Sequence, residues 1–323
     1  MNSLQVKRVN LYGLKVIDFH SHFPIQRESS GSSWRQRMVE RYGERRTDII
    51  RGNSSRYRDE WRKMWAFDEP ETGVIHSDEE QAARWVADMD AKGCTRVNFV
   101  MGGGNDNLAK IVTMHPDRFT GLAHHSIWDD NAAEELERAV KELGLKGFKL
   151  IASGQQRPID DKAAYPVWEM AENLEVPVLI HFGVLGGGGG PAYDLRNMNP
   201  LTLWKVCSDF PTLEFVIPHF GACYWRELLQ LCWQCPSVSV DTSGSNQWMR
   251  WMPEQYSMKD LFRKAMETIG PKRLIFATDS SYFPRGFSVE YLREQLRVCY
   301  DMGLEQESIE KIFHGNAERL LKL

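Results

Sequence analysis

Residues Val16–Pro24 read VIDFHSHFP. Val16–His20 is a short β-branched run that ends in polar residues, the pattern of a buried strand in a parallel sheet. The residues after this run separate two architectures. An open, doubly wound sheet calls for a glycine-rich phosphate loop directly after its first strand, and HSHFP does not suit phosphate. A closed barrel instead collects its chemical groups at the C-terminal ends of the strands. Two histidines, His20 and His22, stand at that end.

Runs of the same kind recur along the chain. They are Arg96–Met101 (RVNFVM), Thr120–His124 (TGLAH), Lys146–Ile151 (KGFKLI), Pro177–His181 (PVLIH), Leu213–His219 (LEFVIPH), Ser237–Asp241 (SVSVD) and Arg273–Asp279 (RLIFATD). Between them lie stretches whose apolar residues repeat about every 3.6 positions, such as Glu79–Lys92, Asn131–Leu143, Met258–Ile269 and Val289–Met302. Gly144 and Gly303 sit where such helices should stop. Strands alternating with helices predict one (β/α)8 TIM barrel, a single domain over residues 1–323. The length of 323 residues fits a barrel of about 250 residues plus an insertion.

Two regions break the rhythm. Residues 24–78 form a long helical insertion after strand one, dense in arginine and carrying Trp34, Trp61 and Trp65. It reads either as a solvated excursion whose tryptophans pack on the barrel, or as a cap or subunit contact on the catalytic face. Acidic residues (Glu28, Glu40, Glu44, Asp48, Asp59, Glu60) interleave with the arginines, which suggests internal ion pairs and not a nucleic-acid surface. The second break is Gly186–Gly190, expected to be a mobile loop after strand five.

Composition narrows the field. Apolar residues make up 42% and charged residues 26%, an ordinary globular balance. The net charge of −4 gives no basic excess for nucleic acid. No run of about 18 apolar residues marks a spanning helix, so no membrane partner is expected. Six cysteines without a signal-type leader read as free thiols in a cytoplasmic protein. Cys232 and Cys235 form a lone CxxC, read as two positions on a helix because no second pair lies near them.

The strand ends carry the chemistry. His20 and His22 are two apart, so an extended strand puts both imidazoles on one face. His181, His219 and Asp279 end strands five, six and eight. Four of the nine histidines and an aspartate therefore meet at one end of the barrel. Neutral imidazoles with one carboxylate suit a divalent metal with a position open to water. Zinc is the first expectation, with manganese, iron or cobalt as alternatives. Arg285, on the loop after Asp279, reads either as a group that pairs with a substrate carboxylate or as a loop arginine bound to backbone. His124 and His125 end strand three, and one should face inward; His125 is taken as a substrate contact. Trp128, Tyr282, Phe283, Trp248 and Trp251 read either as an aromatic rim around a ring-bearing substrate or as ordinary rim packing.

HSH after strand one, IHFG, IPHFGA, ATDSSYFP and the closing IFHGNAERLLKL together resemble the amidohydrolase superfamily. More narrowly they resemble the amidohydrolase-related branch that includes aminocarboxymuconate-semialdehyde decarboxylase, resorcylate-type decarboxylases, lactonases and hydratases. The resemblance runs from Val16 to Leu323, with residues 24–78 outside it. It implies that His20, His22, His181 and Asp279 are metal ligands and that Asp279 also moves protons. His219 is implied as acid/base or as the group that polarises the substrate. Lys149 lies near the place where two-metal members hold a bridging residue, but two residues short of the strand end; one metal is expected. A homo-oligomer is also implied.

Two reactions use these ligands. Hydrolysis of a small carboxylated or cyclic substrate (lactone, amide or ester) by metal-activated water is the expected one, as the superfamily's commonest chemistry. The alternative is non-oxidative decarboxylation of an aromatic or unsaturated acid. A binding protein on a decayed barrel would have lost a ligand, and all four are in place.

Overall fold

The computed structural model describes residues 13–24, 30–71, 73–155, 157–185 and 193–323. Gly186–Gly190 lie outside the described residues. Among the described residues, eight parallel strands occur in sequence order: β1 (Ile17–His22), β2 (Arg96–Met101), β3 (Phe119–Gly121), β4 (Phe148–Ile151), β5 (Val178–His181), β6 (Phe215–Ile217), β7 (Val238–Asp241) and β8 (Leu274–Ile275). Ladders join β1 through β3 and β4 through β8. Two seams close the ring. Ala123 N–H donates to the Gly147 carbonyl (2.8 Å), and Lys149 N–H to that of Ala123 (2.7 Å), which joins β3 to β4. Phe19 N–H donates to the Phe276 carbonyl (3.2 Å) and His22 N–H to that of Ser280 (2.7 Å), which joins β1 to the chain after β8. The fold is thus the predicted (β/α)8 barrel.

Strand eight is shorter than its apolar run suggests. RLIFATD pairs with β7 only at Leu274 and Ile275. Beyond them the chain turns its hydrogen bonds toward β1, as closure of the ring requires. Buried Asp18 fastens this seam. It accepts from Thr278 N–H (2.9 Å), Thr278 Oγ1 (2.5 Å), Ser21 Oγ (2.8 Å) and His20 N–H (3.2 Å).

Side chains of alternate strand positions fill the barrel, as the fold demands. Ile17, Phe19, Val100, Leu122, Leu179, Val216, Ile275 and Ala277 form the inner cluster, with Ala317, Leu320 and Leu321 of the C-terminal helix packed against it. The opposite strand faces pack on the surrounding helices, through residues such as Val97, Phe99, Phe148, Ile180, Phe215 and Val240.

The described residues of the insertion include two helices, α1 (Ser30–Tyr42) and α2 (Glu44–Trp65), before α3 (Asp78–Lys92) resumes the barrel. Helix α2 stops at Ala66, which takes the left-handed conformation and donates its N–H to the Arg62 and Lys63 carbonyls. Its aromatic end packs on the barrel. Trp61 Nε1 donates to Tyr291 Oη (2.9 Å), and the Trp65 ring meets that of Tyr291 at 4.6 Å. The interleaved charges form ion pairs: Arg35–Asp48 (3.2 Å), Arg62–Asp59 (2.6 Å), Arg62–Glu69 (2.9 Å) and Arg250–Glu60 (2.7 Å). All six cysteines are free. Among the described residues, no helix is long and apolar enough to cross a membrane.

Candidate active site

Strand β1 delivers its histidines by an irregularity. Asp18 pairs with Val97, but Ser21 pairs with Phe99, so three residues of β1 advance against two of β2. This bulge resets the alternation of side chains. Phe19 joins the inner cluster, and its neighbour His20 also faces the barrel mouth, where it meets Asp241, His219 and Asp279.

His20 is fully enclosed and held at one nitrogen. Its Nδ1 lies 2.8 Å from Oδ2 of Asp241, the last residue of β7. Burial pushes the Asp241 carboxyl up, but the His20 and His219 imidazoles and the Ser243 hydrogen bond outweigh this and hold it below its ordinary range. The carboxylate therefore fixes the proton on His20 Nδ1. His20 Nε2 is buried without a hydrogen-bond partner, 3.8 Å from Asp279 Oδ1. Burial, assisted by Lys149, lowers the His20 pKa to about 4, so the ring is neutral at physiological pH.

The other strand ends converge on the same point. His22 Nε2 lies 3.1 Å from Asp279 Oδ1. The His219 ring centroid is 5.2 Å from that of His20 and 4.9 Å from that of His181. His219 Nδ1 is held by the Ser243 carbonyl (3.0 Å) and hydroxyl (2.9 Å), which leaves Nε2 for the site. His181 is buried, with Nε2 3.3 Å from the Val184 carbonyl. Burial and then its neighbour His219 push the His181 pKa well down. Asp279 is 38% exposed through the mouth. Burial raises its carboxyl, but the His22 hydrogen bond and the surrounding histidines overcome this and keep it well below the ordinary carboxylate range. His219 and Asp279 both have φ of +58°, a conformation that non-glycine residues hold only when their surroundings impose it.

Among the described residues, ligand atoms of His20, His219 and Asp279 all lie within 4.8 Å of one another. His22 and His181 flank this group without completing the same close set. Lys149 is buried in β4; burial lowers its pKa to about 8, against the pull of Asp279 and Asp241.

Among the described residues, a larger and a smaller cavity open on Asp279. The larger, about 650 Å³, runs from His22 and Asp279 past Phe23 and Tyr282 to Glu71 and His76. The smaller, about 100 Å³, is lined by His181, His219, Trp248, Trp251 and Tyr57. Gly244 borders it with φ of +78°; a Cβ there would stand 3.2 Å from His219 Nδ1 and 4.0 Å from Asp279 Oδ2. Of the expected rim, Tyr282, Trp248 and Trp251 line these cavities. Trp128 instead donates to Gln155 (3.0 Å), and Phe283 packs on Trp85 at 5.5 Å.

Two expectations for substrate contacts change. His125 does not face the site: its Nε2 meets the Ala132 carbonyl (2.9 Å), its Nδ1 meets Asn105 (3.3 Å), and its ring lies against Phe148 at 4.8 Å. Both of its ring nitrogens thus have partners within the protein. The His124 ring instead meets the Lys149 carbonyl through Nδ1 (3.0 Å), and its backbone N–H donates to Asn105 Oδ1 (2.8 Å). Of the two readings of Arg285, the structure shows the backbone-bound arrangement: it is 7% exposed, and its Nη2 donates to the Asp279 carbonyl (2.5 Å). Sequence reading also passed over Asp241, Ser243 and Tyr57. Asp241 had a signal, a carboxylate ending SVSVD. Tyr57 had none, because only the fold of the insertion brings it to the mouth.

Comparison with known proteins adds to this geometry. The chain is 26% identical over 241 residues to a 2-keto-4-carboxy-3-hexenedioate hydratase of Sphingobium, covering 67% of this chain and 69% of that one. It is 26% identical over 263 residues to a γ-resorcylate decarboxylase of Polaromonas, covering 71% and 78%. Its fold matches that of a 5-carboxyvanillate decarboxylase from Novosphingobium aromaticivorans, solved with manganese and 4-hydroxy-3-methoxy-5-nitrobenzoic acid. There the TM-score is 0.66 at 19% identity, with 100% of both chains covered. The family described as Amidohydrolase (Amidohydro_2) has a model that matches residues 17–323, from the strand bearing His20 to the final residue. The chain therefore belongs to the amidohydrolase family.

Proposed function

We propose that this protein is a metal-dependent, non-oxidative decarboxylase of a small aromatic or unsaturated carboxylic acid. The observation that carries the metal is His20: a buried neutral imidazole, its Nδ1–H fixed on the Asp241 carboxylate and its Nε2 orphaned beside Asp279. A carboxylate behind a histidine is the usual support of a metal ligand. The donor set fits a divalent ion of the manganese-to-zinc series. His20 and Asp279 would hold it, with the remaining positions drawn from His22, His181 and His219. Bound there, the ion would supply a positive centre that orients the acid and stabilises charge as CO₂ departs.

Relatives favour decarboxylation over the hydrolysis first expected. γ-Resorcylate decarboxylases and a decarboxylase of 2-amino-3-carboxymuconate-6-semialdehyde recur among them, beside the hydratase. The chain's own groups suit that step. Asp279 is ionised and open to the larger cavity, so it can take a proton from an acidic group of the substrate. It then returns the proton to the carbon that keeps the electron pair of the broken C–CO₂ bond. His219, with Nδ1–H on Ser243, presents a second acceptor in the smaller cavity, which Asp279 also lines. Tyr282 and Phe23 give a ring apolar contact in the larger cavity.

The test is a panel of ortho-hydroxybenzoates, unsaturated diacids and lactones, incubated with Mn²⁺- or Zn²⁺-loaded protein in D₂O. The expected result is CO₂ release with one deuterium on the carbon that lost it. Lactone opening or double-bond hydration without CO₂ would contradict the proposal.

A further inference from the structure

Arg285 is almost wholly buried, and three aromatic rings box its guanidinium. The carbon at its centre lies 5.2 Å from the Trp61 ring, 5.2 Å from that of Tyr282 and 5.5 Å from that of Phe67. Trp61 lies near the C-terminal end of helix α2 of the insertion, and Phe67 stands just beyond that end. Both are anchored on the barrel: Trp61 donates to Tyr291 Oη (2.9 Å), and the Phe67 ring meets Tyr291 at 5.7 Å. The insertion thus supplies two walls of the box, and the loop after β8 supplies the third.

From this box Arg285 Nη2 donates to the backbone carbonyl of Asp279 (2.5 Å). The amide of Asp279 is held too, on the His20 carbonyl (2.7 Å). Both peptide groups around a residue in a disfavoured left-handed conformation are therefore pinned, one by β1 and one by Arg285. We infer that Arg285 is a positioning residue. It holds the Asp279 backbone so that the carboxylate meets His20 and His22, and the insertion acts on the metal site through it. The cap is then part of what builds the ligand set and not merely a cover for the substrate.

The residue type agrees. A planar guanidinium can lie against rings while its edge donates along a fixed direction, whereas a lysine ammonium has no such face. The competing role, a clamp on the substrate carboxylate, would use Nε, which is buried without a hydrogen-bond partner. The two roles separate by experiment.

This inference rests on the metal-site reading above, so its first readout is metal affinity of the full chain, measured by chelator competition with Mn²⁺. Arg285→Lys is expected to weaken Mn²⁺ binding by about tenfold, the lower end for loss of a supporting residue. It should lower kcat while KM stays within about twofold. Trp61→Ala, which does not touch Asp279, should shift Mn²⁺ affinity in the same direction, and Trp61→Phe should restore most of it. The double variant should lose little more than Arg285→Lys alone, because both act along one chain of contacts. Thermal unfolding confirms that each variant is folded; if Arg285→Lys does not fold, the Trp61 pair carries the test. Unchanged Mn²⁺ affinity with a raised KM would overturn the inference in favour of the clamp while leaving the metal site standing. Failure of the wild-type protein to bind Mn²⁺ would overturn both.

Discussion

Asp279→Asn is expected to lower kcat/KM for CO₂ release by about 10³-fold, within the range for removing a proton-transferring group. The substitution keeps the shape of the side chain. It also leaves both backbone anchors in place, the amide on His20 and the carbonyl on Arg285. What disappears is the charge. Oδ1 faces His20 and His22, so the negative charge lies within the cluster of imidazoles. An amide neither accepts nor returns a proton at neutral pH and is a weak metal donor. Metal affinity should therefore fall with activity, while the unfolding midpoint changes little. Activity within tenfold of wild type would show that the proton travels by another group.

Asp241→Asn carries the second large effect. Asp241 is enclosed at the end of β7 and touches His20 and not the cavities. Its ionised carboxylate accepts the Nδ1 proton of His20 and so leaves the Nε2 lone pair for the site. An asparagine can instead turn its NH₂ toward Nδ1. That selects the other tautomer, with the proton on Nε2 and no lone pair to offer. Loss of such a supporting carboxylate costs about 10–100-fold in metal affinity. Chelator competition on the folded variant measures it, with kcat expected to fall in parallel. An Asp241→Asn protein that binds metal as tightly as wild type would show that the orphaned His20 Nε2 is not a ligand atom.

Much of this arrangement was legible in the sequence. Eight apolar runs alternating with helices identified the barrel, because buried parallel strands are apolar on both faces and their ends must carry whatever is polar. The same rule brought His20, His22, His181, His219 and Asp279 to one rim, and the structure gathers them there. Other features had no one-dimensional signature. The bulge in β1 depends on how Ser21 meets Phe99 on another strand. Strict alternation would have sent His20 to the side opposite Phe19. His125 looked as eligible as its neighbour because β3 has only three ladder residues, too few to set the phase at positions 124 and 125. Tertiary contacts with Asn105 and Ala132 decided it. Arg285 was read as a mouth residue from its place after strand eight. The insertion covers it, and an insertion's docking cannot be inferred from its arginine and tryptophan content. Asp241 was the readable omission: a carboxylate at a strand end is as informative as a histidine there.

The central claim is that these strand ends hold one divalent metal. Metal content of the purified chain, measured by mass spectrometry after loading with Mn²⁺ or Zn²⁺ and removal of excess ion, tests it most directly. His20→Ala would be run alongside. The account predicts about one ion per chain in the wild-type protein, as a single catalytic site requires, and none retained in His20→Ala. No retained metal in the wild-type protein, or equal content in the two proteins, would contradict it.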